Sequence, residues 1–272
     1  MTFASRLTRC PIPYDTDRAA DLGDRFAALP PELRELLTGT AGCSPYLSDL
    51  IQHEADWLEP TLARGPETVL TELLTALPET APDALAVALR QAKRRVALLA
   101  GLADLGGVWR LEEVTWALTQ FADMAVDLAL RAHVGADIAR GRLPGAAAAD
   151  ADIAGGMVAL AMGKMGAAEL NYSSDIDLIC LFDDTRFERD QVMEARSIFI
   201  KATRKMAAML SDHTGDGYVF RTDLRLRPDA AVTPVCISMG AAEQYYEAQG
   251  RTWERAAFVK ARAAAGDIAA GD

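Results

Sequence analysis

The sequence predicts an α+β protein, a helical module over residues 1–152 followed by a sheet-containing module over 153–272. Three observations carry that prediction. Apolar residues recur at spacings of three and four through the first half, the period of a helix with one buried face. A Gly-, Pro- and Ala-rich stretch from Gly141 to Asp152 then interrupts the pattern. After it, short apolar runs bounded by glycine replace the helical stripes, as buried strands do.

Taken in order, Pro31 opens a short helix, since proline suits an early helical position. Ser44-Pro45 is an N-cap with a following proline and starts a helix expected to run to about Leu58. Pro66 starts another that stops near Pro78. From Pro82 to about Leu105 the stripe is Leu85, Leu89, Ala92, Val96, Leu99 and Leu102. Gly106-Gly107 ends it, and Leu111, Val114, Leu118, Phe121, Ala125 and Leu128 form the next. Met157–Met162 and Ile176–Phe182 read as strands. Asp190 is expected to cap a helix that buries Val192, Ala195, Phe199, Ala202, Met206 and Met209. Tyr218–Arg227 reads as a third strand, closed by Pro228. Ser238 caps a helix to about Gln249, and Arg251–Arg262 reads as one more.

Composition narrows the function. With 28 Lys and Arg against 39 Asp and Glu, the net charge of −11 argues against a general nucleic-acid coat. No apolar run reaches the ~18 residues of a membrane span, and the N-terminus has no apolar signal core. A cytoplasmic protein with no membrane or nucleic-acid partner is expected. Cys10, Cys43, Cys180 and Cys236 are scattered, as reduced and mostly buried thiols are. His53, His133 and His213 lack metal-ligand spacing, so chemistry falls to carboxylates and cations.

Asp175 and Asp177 open the second strand, two residues apart and therefore on one face. Such carboxylates repel unless a cation sits between them, and Mg²⁺ takes a few carboxylates plus substrate phosphates. The same Asp-x-Asp pattern at Asp15/Asp17 and Asp150/Asp152 lacks the strand context. If 218–227 is a strand, its polar face carries Arg221, Asp223, Arg225 and Arg227. Alone this is a solvated ionic face. Beside Asp175 and Asp177 it adds a third carboxylate and planar guanidiniums for oxyanions, the inventory of phosphoryl-type transfer. Gly163-Lys164-Met165-Gly166 follows the first strand. Alone it is a tight turn; near a nucleotide its glycines let the backbone approach a phosphate and Lys164 adds charge. It is not a Walker loop.

Three segments together carry a resemblance: Gly163-Lys164-Met165-Gly166-x-x-Glu169-Leu170-Asn171-Tyr172-Ser173-Ser174-Asp175-Ile176-Asp177-Leu178, Asp223-Leu224-Arg225-Leu226-Arg227-Pro228, and Trp253-Glu254-Arg255-x-Ala257-x-x-Lys260-Ala261-Arg262. In this order they resemble the signature of the bifunctional glutamine synthetase adenylyltransferase/adenylyl-removing enzymes, of the DNA polymerase β-like nucleotidyltransferase superfamily. The resemblance implies a helical module packed on a polymerase β-like mixed sheet with flanking helices. Family members are longer and hold two copies of this module. Asn171–Ser174 and Tyr245-Tyr246 with Gly250–Trp253 make this chain similar to the N-terminal, adenylyl-removing copy, so it reads as an N-terminal fragment. The Asp229–Val235 loop departs from the glycine-rich turn of many relatives.

What the resemblance implies is specific. Inorganic phosphate would attack the adenylyl group on a tyrosine of adenylylated glutamine synthetase, releasing ADP. Asp175, Asp177 and Asp223 would be the catalytic carboxylates and hold Mg²⁺, with Mn²⁺ as a substitute. Gly163, Lys164 and Ser174 would line the nucleotide phosphate. Arg225, Arg227, Lys260 and Arg262 are candidates for the incoming phosphate. A PII-type signalling protein would act through regions outside this chain. Forward adenylyl transfer from ATP, and a non-catalytic docking module of the same fold, stand as the alternatives.

Overall fold

The computed structural model describes residues 2–272, with the side chain of Asp24 excepted. Two compact units divide the chain: Met1–Thr80 with Val87–Phe121, and Ala81–Ala86 with Ala122–Asp272. The boundary drawn from the alanine-rich stretch lies at 152, whereas the units divide at Phe121/Ala122, inside the helix Leu111–Ala139. No helix among the described residues is long and apolar enough to cross a membrane.

The first unit is helical. Pro31–Cys43 begins on its proline, and Ser44 caps Pro45–His53 by accepting from the Leu47 N–H at 3.2 Å. The helix expected to continue to Leu58 stops at Glu54, and a separate one, Ala55–Leu62, follows. Glu54 is buried there and accepts from Arg94 Nε at 2.9 Å and Arg95 Nε at 2.8 Å. Burial pushes this carboxyl up, and the two guanidiniums more than offset it, so it lies below its ordinary value. Pro66–Ala76 and Leu85–Leu105 match their expected positions. The whole 85–102 stripe is buried; at the next helix Val114, Leu118, Phe121 and Ala125 are buried but Leu111, its first residue, is exposed.

The second unit holds a five-stranded mixed sheet, and the α+β class follows from it. Strands β1 (Met157–Ala161) and β2 (Ile176–Phe182) pair antiparallel, Met157 opposite Phe182 and Ala161 opposite Leu178. Strand β3 (Thr222–Asp223) and strand β4 (Cys236–Ser238) both run parallel to β2, at its start and its end. Strand β5 (Arg262–Gly266) pairs antiparallel with β1, giving the order β3-β2-β1-β5 with β4 beside β2. One face buries Val158, Leu160, Ile179, Leu181 and Ile237 against Ala242, Tyr246 and Phe258. The other is covered by the helix Val192–Ser211, where Phe199 stacks on Phe182 at 5.0 Å between centroids.

Three expectations need correction. Gln191 rather than Asp190 is the N-cap of Val192–Ser211. The third strand is two residues rather than ten, because Asp223 accepts from the Arg225 N–H at 2.8 Å and turns the chain. Arg251–Arg262 is not one helix: a helix over Thr252–Ala257 and a 3-10 turn over Phe258–Lys260 lead into β5. Glu254, buried in the first turn of that helix, reaches back to its N-cap, accepting from the Arg251 N–H at 2.8 Å and from the Tyr245 hydroxyl at 3.0 Å.

Candidate active site

Parallel pairing of β2 with β3 assembles the carboxylates. Ile176 lies opposite Thr222 and Asp177 opposite Asp223, and the Ile176 N–H donates to the Arg221 carbonyl at 2.9 Å. Register partners project to the same face, so the Asp177 and Asp223 side chains stand side by side. Asp175, two residues back, shares that face. Burial pushes the Asp177 carboxyl up, and the charges of Asp223 and Asp175 push it the same way against a smaller opposing pull from Arg225. Asp177 is the carboxylate of this cluster whose charge is least compensated.

The other two are each held by a guanidinium. Arg221 Nε donates to Asp175 Oδ1, and its Nη2 donates to the Ser173 carbonyl at 2.7 Å. Ser173 has a left-handed φ of +56°, a conformation that this bond supports. Arg225 donates to both oxygens of Asp223 and holds that carboxyl below the usual range. Arg225 itself is 85% exposed, so most of its guanidinium remains open to an oxyanion.

The Gly163–Gly166 segment is a single helical turn that leaves β1 and lies over Asp177. Gly163 has φ +56°, and a Cβ there would stand 3.1 Å from Asp177 Oδ2. Glycine therefore brings backbone and carboxylate together where a side chain would crowd them. Lys164 is exposed on this turn, and Ser174, half-buried, donates to the Asn171 side chain in the loop that enters β2.

The donors in this cluster are all carboxylate oxygens, which suit a hard divalent cation. Among the described residues no three acidic, His or Cys side chains are gathered into a metal cage. Mg²⁺ does not require one, since it takes one or two carboxylates together with substrate phosphates. The uncompensated charge at Asp177 beside Asp223 fits that mode of binding.

The remaining sequence candidates lie differently. Arg227, expected on the strand face, turns into its own loop and donates to the carbonyls of Leu224 at 2.7 Å, Ala230 at 2.8 Å and Thr233 at 3.0 Å. It secures the Asp229–Val235 loop with these bonds, while its charge still helps to lower the Asp223 carboxyl. Lys260 pairs with Glu169 at 2.8 Å. Arg262, at the start of β5, donates to Asp123 at 2.9 Å and to the Met165 carbonyl at 3.2 Å. The sequence reading passed over Asp123, and it named Arg221 on the polar face of 218–227 without its pairing to Asp175. The first had a signal, an Asp123/Asp127 pair four apart and so on one face of the helix Leu111–Ala139.

Known proteins are similar to this chain over most of its length. The family model for glutamate-ammonia ligase adenylyltransferase matches residues 34–272. A bifunctional glutamine synthetase adenylyltransferase/adenylyl-removing enzyme of Bradyrhizobium sp. (strain BTAi1 / ATCC BAA-1182) is 48% identical over 244 residues, covering 88% of this chain and 25% of the relative. Proteins of the same description from Bradyrhizobium sp. (strain ORS 278) and Xanthobacter autotrophicus are 47% and 42% identical, over 93% and 91% of this chain. The chain thus spans about a quarter of the length of these relatives. A match that takes in both units and runs through the carboxylate cluster and the turn above it places this chain in the glutamate-ammonia ligase adenylyltransferase family.

Proposed function

We propose that this chain removes the adenylyl group from the modified tyrosine of glutamine synthetase by phosphorolysis, giving ADP and the unmodified enzyme. The observation that carries the reading is the register of β2 and β3, which sets Asp177 beside Asp223 beneath the Gly163 turn. The direction of the reaction rests on the likeness to the N-terminal copy of the longer enzymes.

Asp177 and Asp223 would hold Mg²⁺ or Mn²⁺, and Asp175, paired with Arg221 without the ion, would join them only when it binds. When bound, the ion polarises the phosphoryl oxygens and offsets their charge. The Gly163 backbone, Lys164 and Ser174 receive the adenylyl phosphate. Arg225, anchored on Asp223 and open to solvent, receives the incoming phosphate and aligns it. A phosphate oxygen bonds to the adenylyl phosphorus, the bond from phosphorus to the tyrosine oxygen breaks, and the phenolate takes a proton from water. Inorganic phosphate is already ionised near neutral pH, so no carboxylate has to act as its base. The cytoplasm is the proposed setting, and a PII-type protein acts on other parts of the longer enzyme.

Two incubations test this. With adenylylated glutamine synthetase and phosphate the chain should release ADP; with ATP and unmodified glutamine synthetase it should transfer nothing. The reverse pattern supports forward transfer, and inactivity in both contradicts the activity proposed for this chain. Arg225→Lys keeps the charge but loses the two-pronged grip, so the phosphate KM should rise on the order of ten-fold. Nucleotide affinity should move less, and an unchanged phosphate KM contradicts the role given to Arg225.

A further inference from the structure

Arg262 carries a cation close to the candidate site and spends it on backbone. Its Nη2 donates to Asp123 Oδ1 at 2.9 Å and to the Met165 carbonyl at 3.2 Å, and its Nε to the Gly166 carbonyl at 3.4 Å. Those carbonyls close the turn whose first residue, Gly163, lies against Asp177. The far end of the turn is packed backbone to backbone, since a Cβ on Gly166 would stand 1.8 Å from the Lys260 carbonyl oxygen.

The partner helix is matched to the strand. Asp123 and Asp127 are four residues apart on Leu111–Ala139, one turn along a single face. Arg262 and Gly266 are four apart on β5. Asp123 takes the first, and Asp127 accepts from the Gly266 N–H at 2.8 Å, so both ends of β5 are tied to one helix face. Arg131 pairs with Asp127 at 2.9 Å. Asp123 is half-buried, and burial pushes its carboxyl up against the pull of Arg262.

We propose that Arg262 and Asp123 are positioning residues, Asp123 aiming a guanidinium that fixes the Met165 and Gly166 carbonyls and thereby the height of the Gly163 backbone above Asp177. The kinetic part rests on the phosphorolysis reading; the positioning of the turn does not. A residue that touched phosphate would act on phosphate affinity. A residue that fixes the turn acts on alignment, hence on kcat.

The test uses the 272-residue chain with Asp123→Asn and Arg262→Lys, each read by amide hydrogen exchange and by phosphorolysis kinetics. The Gly166 and Ala167 amides donate within the turn, to Met162 and Gly163. Both variants should exchange these amides about ten-fold faster while the β1 and β2 amides keep their wild-type rates. The kcat should fall on the order of ten-fold or more, with the phosphate KM within about two-fold of wild type. Unchanged exchange in the turn overturns the proposal. So does exchange that accelerates equally across β1 and β2, which marks a general stabilising contact. A phosphate KM raised ten-fold with kcat preserved also overturns it and returns Arg262 to the phosphate site. If the wild-type chain releases no ADP, the phosphorolysis reading fails and the exchange data alone decide the positioning.

Discussion

Asp177 and Asp223 face one another with opposite electrostatic fates. Arg225 relieves Asp223, whereas Asp177 is half-buried among like charges and its carboxyl is raised above the ordinary 3.8. A raised carboxyl is protonated more readily in the folded state than in the unfolded chain. Its penalty is therefore absent below 3.8 and develops as pH rises through the folded value. Asp177→Asn should accordingly raise Tm at pH 7 and lose that gain at pH 3, in a metal-free thermal melt. A variant no more stable than wild type at pH 7 contradicts the charge crowding. The Asp175/Asp177 pair was legible in the sequence because period-two geometry is local. The partner of Arg262 was not, because Asp123 lies 139 residues away and only the fold brings it near.

At the scale of elements, the buried strands were the easiest to read and the polar one the hardest. β2 runs from Ile176 to Phe182 as its unbroken apolar run indicates. The alternating 218–227 segment collapses to Thr222–Asp223, because Asp223 and Arg227 offer the backbone local hydrogen bonds that compete with a ladder. The expected helix breaks at Glu54, where the backbone leaves helical geometry at φ −104° and ψ 20°, and the buried carboxylate there answers two arginines about forty residues on. The Gly163–Gly166 turn makes a sharper test. At Gly166 an added methyl would stand 1.8 Å from the Lys260 carbonyl oxygen and 2.5 Å from that of Ala161, both backbone. Gly166→Ala should cost about 2–4 kcal/mol in chemical denaturation. A cost below about 0.5 kcal/mol would show that the turn yields freely.

At the scale of the molecule, a chain of net charge −11 sets two exposed arginines, Arg221 and Arg225, on its carboxylate cluster. A helical unit and a sheet unit were both foreseeable from the change in hydrophobic period. Their division at Phe121/Ala122 was not, because the helix runs through it without a break in its apolar stripe. The consequence for function is that the sheet unit takes in Asp123 and Asp127 along with every residue proposed to meet substrate. The most direct measurement of the central claim is ADP formed from adenylylated glutamine synthetase as phosphate is varied, for the wild-type chain and for Asp177→Asn. The account predicts ADP release that saturates with phosphate, vanishes without it, and falls on the order of a thousand-fold in the variant. Release of AMP independent of phosphate, or equal ADP release by Asp177→Asn, would contradict it.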